Sequence, residues 1–195
     1  MSESDRATPA ILPIGDFGQA VAQRLRRIAP SPASIIGVDD VAAMGRPVVM
    51  AAWRESRTVS EALDSSTSVP WWLPIVFTHP VVRVGPVFSR SLAGCYACLT
   101  GRELSASGNP DHTRSLWDLY DDDPAVGPVG FLPHHAALAC GLALSLMTQD
   151  HQPFRRLHTY HVLTNTVRTH RFIPTSTCAR WHQQLDGRRT TEDER

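Results

Sequence analysis

The chain is 195 residues long, 42% hydrophobic and 19% charged, and its 19 basic residues balance 19 acidic ones. That composition supports one folded domain and argues against disorder and against a nucleic-acid or membrane-surface partner gripped through bulk charge. Every basic residue is arginine, which excludes Schiff-base chemistry, a lysine general base and the lysine of a P-loop.

Residues 10–14 read as a short apolar strand that runs into Gly15. Across residues 19–28, Ala20, Val21, Ala22, Leu25 and Ile28 fall at helical spacing, with Arg24, Arg26 and Arg27 opposite. Strand, glycine turn and helix in that order open a Rossmann-like unit. Residues 34–38 read as a second strand ending at Asp39, and residues 47–53 as a third, apolar enough to be buried in a parallel sheet. Thr58 and Glu61 have the spacing of a capping box at the head of a short helix over 58–64. Residues 70–77 read as a strand broken at Pro74, and residues 81–84 with Val87 and Phe88 as a hairpin leading to Cys95. The stretch 110–128, with its acid run Asp121, Asp122 and Asp123, reads as a solvated loop with one helical turn at Trp117. Residues 134–147 form an apolar helix buried on most sides that carries Cys140 as an inert core residue, and 156–165 with 166–173 form a last hairpin. Residues 1–9 and 185–195 are polar and are expected to be a flexible N-terminus and a disordered tail around one domain over 10–184.

Three features carry chemistry. Cys95-Tyr96-Ala97-Cys98 sets two thiolates at metal-ligand spacing, and Cys178 with His182 offers a second pair, so Cys95, Cys98, Cys178 and His182 read as one closed structural zinc site. His170 and His112 are the alternative fourth ligands. With four cysteines, two of them in a CxxC turn, a reducing cytoplasm and metal binding fit better than disulfides. Gly15-Asp16-Phe17-Gly18-Gln19-Ala20 lies where a phosphate-binding fingerprint would be, but Phe17 holds the place of the glycine that lets backbone reach a pyrophosphate. Asp16 adds negative charge there, so Gly15, Phe17 and Gly18 read as a degenerate nucleotide loop that argues against ATP. The histidines at 134, 135, 158 and 161 have no partner at triad or metal spacing, and no G-x-S-x-G or H-E-x-x-H motif is present, so no catalytic residue is assigned. No apolar run is long enough to cross a bilayer, and residues 1–8 lack a signal-peptide pattern.

The run Val81-Val82-Arg83-Val84-Gly85-Pro86-Val87-Phe88, then Gly94-Cys95-Tyr96-Ala97-Cys98-Leu99 and Arg102, resembles a stretch of the E1-like proteins of azole- and azoline-forming peptide maturation. The alanine-rich helix from His134 and the run Phe172-Ile173-Pro174-Thr175-Ser176-Thr177-Cys178 are similar to the later segments of that family. The resemblance implies an α/β fold of the ThiF/ubiquitin-activating superfamily: a trimmed Rossmann-like E1 fold with a β-hairpin and a zinc-stapled C-terminal part. It implies a non-catalytic partner that presents a precursor peptide to a YcaO-type cyclodehydratase or another tailoring enzyme in antibiotic-type peptide biosynthesis, as a homodimer or heterocomplex. The family's zinc ligands map onto Cys95, Cys98 and Cys178. Its N-terminal winged-helix region, which grips the leader peptide, has no counterpart before Ala10, and its Rossmann part is shortened here. The alternatives are an ATP-dependent adenylating or cyclodehydrating enzyme subunit and a zinc-stabilised dimeric interaction module.

Overall fold

The apolar runs Ala10–Ile14 (β1) and Val48–Ala52 (β2) pair in parallel, Ala10 opposite Val48, and β2 pairs in parallel with Trp71–Thr78 (β3), Val48 opposite Trp72. All five residues of β2 are buried, as expected of a strand covered on both faces. From β3 onward the sheet turns antiparallel, through Val81–Val84 (β4), Arg156–His161 (β6) and Thr166–Arg171 (β7), while Phe88–Ser89 (β5) pairs back onto β3. The result is a seven-stranded sheet ordered β1-β2-β3-β4-β6-β7. The computed structural model describes residues 8–28, 33–43, 45–123, 125–127, 129–148, 156–178 and 180.

Two helices cover one face. Gly15–Ile28 (α1) buries Phe17, Val21, Ala22 and Leu25, and Pro133–Thr148 (α5) packs beside it through Ala136, Ala139, Cys140 and Ala143. Cys140 is fully buried, and that burial pushes its thiol up to about 11. Arg57–Ser65 (α2), Tyr96–Ala106 (α3) and Pro110–Asp122 (α4) lie on the other face, where Leu63, Tyr96 and Leu99 join Leu12, Met50, Trp72 and Phe88 in a second core. Among the described residues, no helix is long and apolar enough to cross a membrane.

Several elements differ from the sequence-based expectations, each for a local reason. Residues 34–38 form only a single bridge, Ile35 to Ile11, before a 3-10 turn over Val38–Ala43. Thr58 caps nothing through Glu61. Ser56 is the N-cap of α2 without a side-chain capping bond, and the Asp121 carboxylate instead accepts from the Ser56 hydroxyl at 3.3 Å, the Thr58 amide at 3.2 Å and the Thr58 hydroxyl at 3.1 Å. The stretch after residue 110 is the full helix α4 and not a loop. Asn109 caps it by accepting from the His112 amide at 3.1 Å, Pro110 opens it, and Trp117 and Tyr120, three residues apart, are buried. Residues 81–84 and 87–88 do not pair with each other, because β4 and β5 both pair with β3. Pro74 does not break β3, because the strand changes partner there. Trp71 and Trp72 pair with β5, Ile75 to Thr78 pair with β4, and the Gly85 amide donates to the Pro74 carbonyl at 2.8 Å. The missing proline N–H thus falls at a junction rather than inside the β2 ladder.

Candidate metal centre and remodelled nucleotide loop

The chain between β5 and α3 delivers Cys95 as the N-cap of α3 and Cys98 in its first turn, so both sulfurs leave one end of one helix. Their Sγ atoms are 3.6 Å apart. Cys178 arrives from beyond β7, and its Sγ lies 3.9 Å from that of Cys95. All three sulfurs lie within 4.8 Å of one another, the one such group among the described residues. Two thiolates on one tetrahedral zinc lie roughly 3.8 Å apart, given a Zn–S bond of about 2.3 Å. The donor set and its spacing therefore fit a zinc ion. His182 lies outside the described residues. The alternatives His170 and His112 stand outside the sulfur group. His170 Nε2 is 2.8 Å from the Thr159 hydroxyl on the hairpin, and His112 sits in the first turn of α4.

Without a cation the thiols split. Burial raises Cys95, with the neighbouring Cys98 and Cys178 sulfurs adding to it. Burial alone would also raise Cys98, but the hydroxyl of Thr175 at 3.3 Å and backbone hydrogen bonds outweigh it and hold Cys98 below the ordinary thiol value.

Asp64 and Glu55, which belong to no motif, act with Arg83 and Arg102 of the family-like stretch around the two cysteine segments. Asp64, at the end of α2, accepts from the Tyr96 amide at 3.2 Å and pairs with Arg180 at 3.0 Å, while the Trp72 indole donates to it at 3.4 Å. Arg102 on α3 donates to the carbonyls of Ile173 and Pro174. Tyr96, between the two cysteines, donates its hydroxyl to Glu55 at 2.7 Å, and Glu55 also pairs with Arg83, which holds Glu103 at 3.2 Å. Burial alone would lower Arg83, but Glu55 and Glu103 keep it well above its ordinary value, whereas burial raises Glu103. Single-sequence patterning carries no signal for such pairs, since they join residues far apart in the chain.

At the other candidate site, α1 starts directly at Gly15, whose φ of +68° suits glycine, and no phosphate loop intervenes between β1 and the helix. A Cβ at Gly18 would lie 2.2 Å from the Ala51 carbonyl oxygen, so a glycine there lets α1 pack closely on β2, while Ala20 holds the last position of the fingerprint. Phe17, in the position of the phosphate-approaching glycine, turns its fully buried ring into the core, edge-on to Phe77 at 5.2 Å and Phe131 at 5.4 Å. A cleft of about 330 Å³ remains above the strand ends, lined by Gly15, Asp16, Trp53, Val129, Gly130 and Phe131. Below it the buried Arg54 donates to the Val126 carbonyl at 3.0 Å and stacks on Trp53 at 4.5 Å, so its charge faces protein carbonyls and rings.

No family model and no curated protein matches this chain. Solved structures do match. A chain of the E. coli microcin synthetase McbBCD complex has a TM-score of 0.65 at 12% identity, over 92% of this chain and 70% of that one. A heterocyclase in complex with substrate and cofactor gives 0.59 at 19% identity, over 91% of this chain and 25% of its own length. E. coli MccB with MccA gives 0.56 at 12% identity, over 91% and 67%. The chain shares the fold of these synthetase and heterocyclase proteins. A mixed sheet that starts with a parallel β1-α1-β2 unit and ends in an antiparallel hairpin agrees with the Rossmann-like architecture expected from the sequence.

Proposed function

We propose that this protein is a non-catalytic E1-like partner in the maturation of ribosomally made peptides, holding a precursor peptide or a modifying enzyme while that enzyme performs the chemistry. The observation that carries this reading is Phe17: the fold of the microcin synthetase and heterocyclase chains is kept, yet the residue at the phosphate approach is a fully buried ring. Asp16 beside it opposes a phosphate further, and Gly18 serves packing rather than ligand approach. Zinc on Cys95, Cys98 and Cys178, with His182 as fourth ligand, joins α3 to the segment after β7 and is structural. When bound it supplies a crosslink and no reaction step.

The test is reconstitution of peptide modification with the neighbouring gene products, with and without this protein. Modification that proceeds equally well in its absence removes the partner role. Calorimetric titration with Mg-ATP separates an adenylating enzyme from a partner, since the partner role requires no saturable heat.

A further inference from the structure

Charge in this neutral chain is unevenly placed. Between Arg156 and Cys178 the sequence holds three arginines and three histidines and not one carboxylate. That stretch builds the β6–β7 hairpin, the end of the sheet. All six residues of β7 are exposed, and among the described residues no strand pairs with its outer edge. Neither Arg168 nor Arg171 forms an ion pair among those residues.

An open edge offers unpaired backbone donors and acceptors to any extended chain. A basic edge repels a second copy of itself and selects a strand of opposite sign. The two faces of β7 differ as well. Arg168 and His170 line a cleft of about 410 Å³ with Thr159, His161, Thr164 and Thr166, and no acidic group lies in it. His161 Nδ1 is buried there without a partner. On the opposite face Val167 is 42% exposed with Arg171 at the end of the strand, and Leu163 in the hairpin turn is 72% exposed. A neighbouring cleft shares Val81 and Thr159, but its Glu55, Arg83 and Glu103 are already paired with one another.

We propose that the outer edge of β7 takes an extended acidic segment of a partner polypeptide as an eighth strand. Its carboxylates would lie on the Arg168 and His170 side and its apolar residues on the Val167 side, so the segment alternates acidic and apolar residues with the period of a strand. The proposal stands on the hairpin alone and not on a role in peptide maturation.

The probe is (Glu-Val)4-amide carrying fluorescein on its N-terminus in place of an acetyl cap, followed by anisotropy against the full chain. Saturable binding that weakens with added salt is expected, along with no binding of (Lys-Val)4-amide labelled the same way. The paired substitutions Arg168→Glu and His170→Glu should weaken binding at least tenfold. Of two probes N-methylated on alternate backbone amides, one should lose binding, because only one set faces β7. If the Glu pair lowers the melting temperature, Arg168→Ser with His170→Ser is measured instead, with the same loss expected. Equal binding of the lysine probe, full binding by both methylated probes, or less than a twofold loss in the folded variant would overturn the proposal. A probe that does not bind also overturns it, and leaves the peptide-maturation role untouched, since that role is read by the modification assay.

Discussion

At Gly18 a single added methyl group would meet the Ala51 carbonyl oxygen at 2.2 Å, and a backbone oxygen inside a buried parallel strand has nowhere to go. Alanine's better helix propensity recovers about 1 kcal/mol, less than the displacement costs. Gly18→Ala should therefore lower stability by roughly 1–3 kcal/mol, seen as an earlier urea midpoint with an unchanged slope. Two histidines set a pH dependence. His135 Nδ1 accepts from the Leu132 amide at 3.3 Å while its own amide donates to the Leu132 carbonyl at 2.9 Å, a reciprocal cap on α5 that needs the neutral ring. Burial first, then His134 and His79, lower its pKa, and burial first, then Arg156 and His170, lower that of His158. Both folded values lie below the unfolded value near 6.5, so below that pH the unfolded chain binds more protons and stability falls with acidification. Thermal unfolding between pH 7.5 and 5.5 should show this decline, and His158→Gln should reduce its slope. An identical slope in the variant would show that His158 carries none of it.

Among the elements, those with an internal pattern are legible in the sequence. β1, β2, α5 and the β6–β7 hairpin announce themselves by apolar runs or by residues around a turn at Asn165, and all appear near the expected bounds. α4 escapes the pattern because its acid-rich surface masks a short apolar stripe, although Asn109-Pro110 is a readable start signal. Composition overstates the strand over residues 34–38, which meets β1 in one bridge, the Ile11 amide donating to the Ser34 carbonyl and the Ile36 amide to the Ile11 carbonyl. At the metal centre the cysteines are legible from spacing and Arg102 from the family-like stretch, whereas Asp64 and Glu55 are not, since each acts on residues remote in sequence. Those hidden pairs make their own predictions. Arg83→Met leaves Glu55, which is 3% exposed, without its cation and should cost about 3–5 kcal/mol in chemical denaturation. Asp64→Asn should keep the fold but loosen the hold on Tyr96 and Arg180, so that a chelator strips metal faster than from wild type.

For the whole molecule, the three sulfurs join the middle of the chain to its last described segment, and zinc bound there would count as folding free energy. Cys95→Ala or Cys178→Ala should lose about one zinc per chain by elemental analysis and lower the melting temperature sharply. Wild-type protein purified without zinc and equally stable would dismiss the metal. The two opposite faces of the sheet thus have separate tasks. α1 and α5 bury one core around Phe17, and on the other face α3 carries Cys95 and Cys98 while Asp64 of α2 holds the Tyr96 amide between them.

The strand order carries a consequence for biosynthesis of the protein itself. β4 is flanked by β3 and by β6, and β6 begins only at Arg156, long after Val84 has left the ribosome. A nascent polypeptide therefore presents a bare, mostly buried-type apolar ribbon throughout the synthesis of three helices, the situation in which chaperone capture or co-translational assembly matters most.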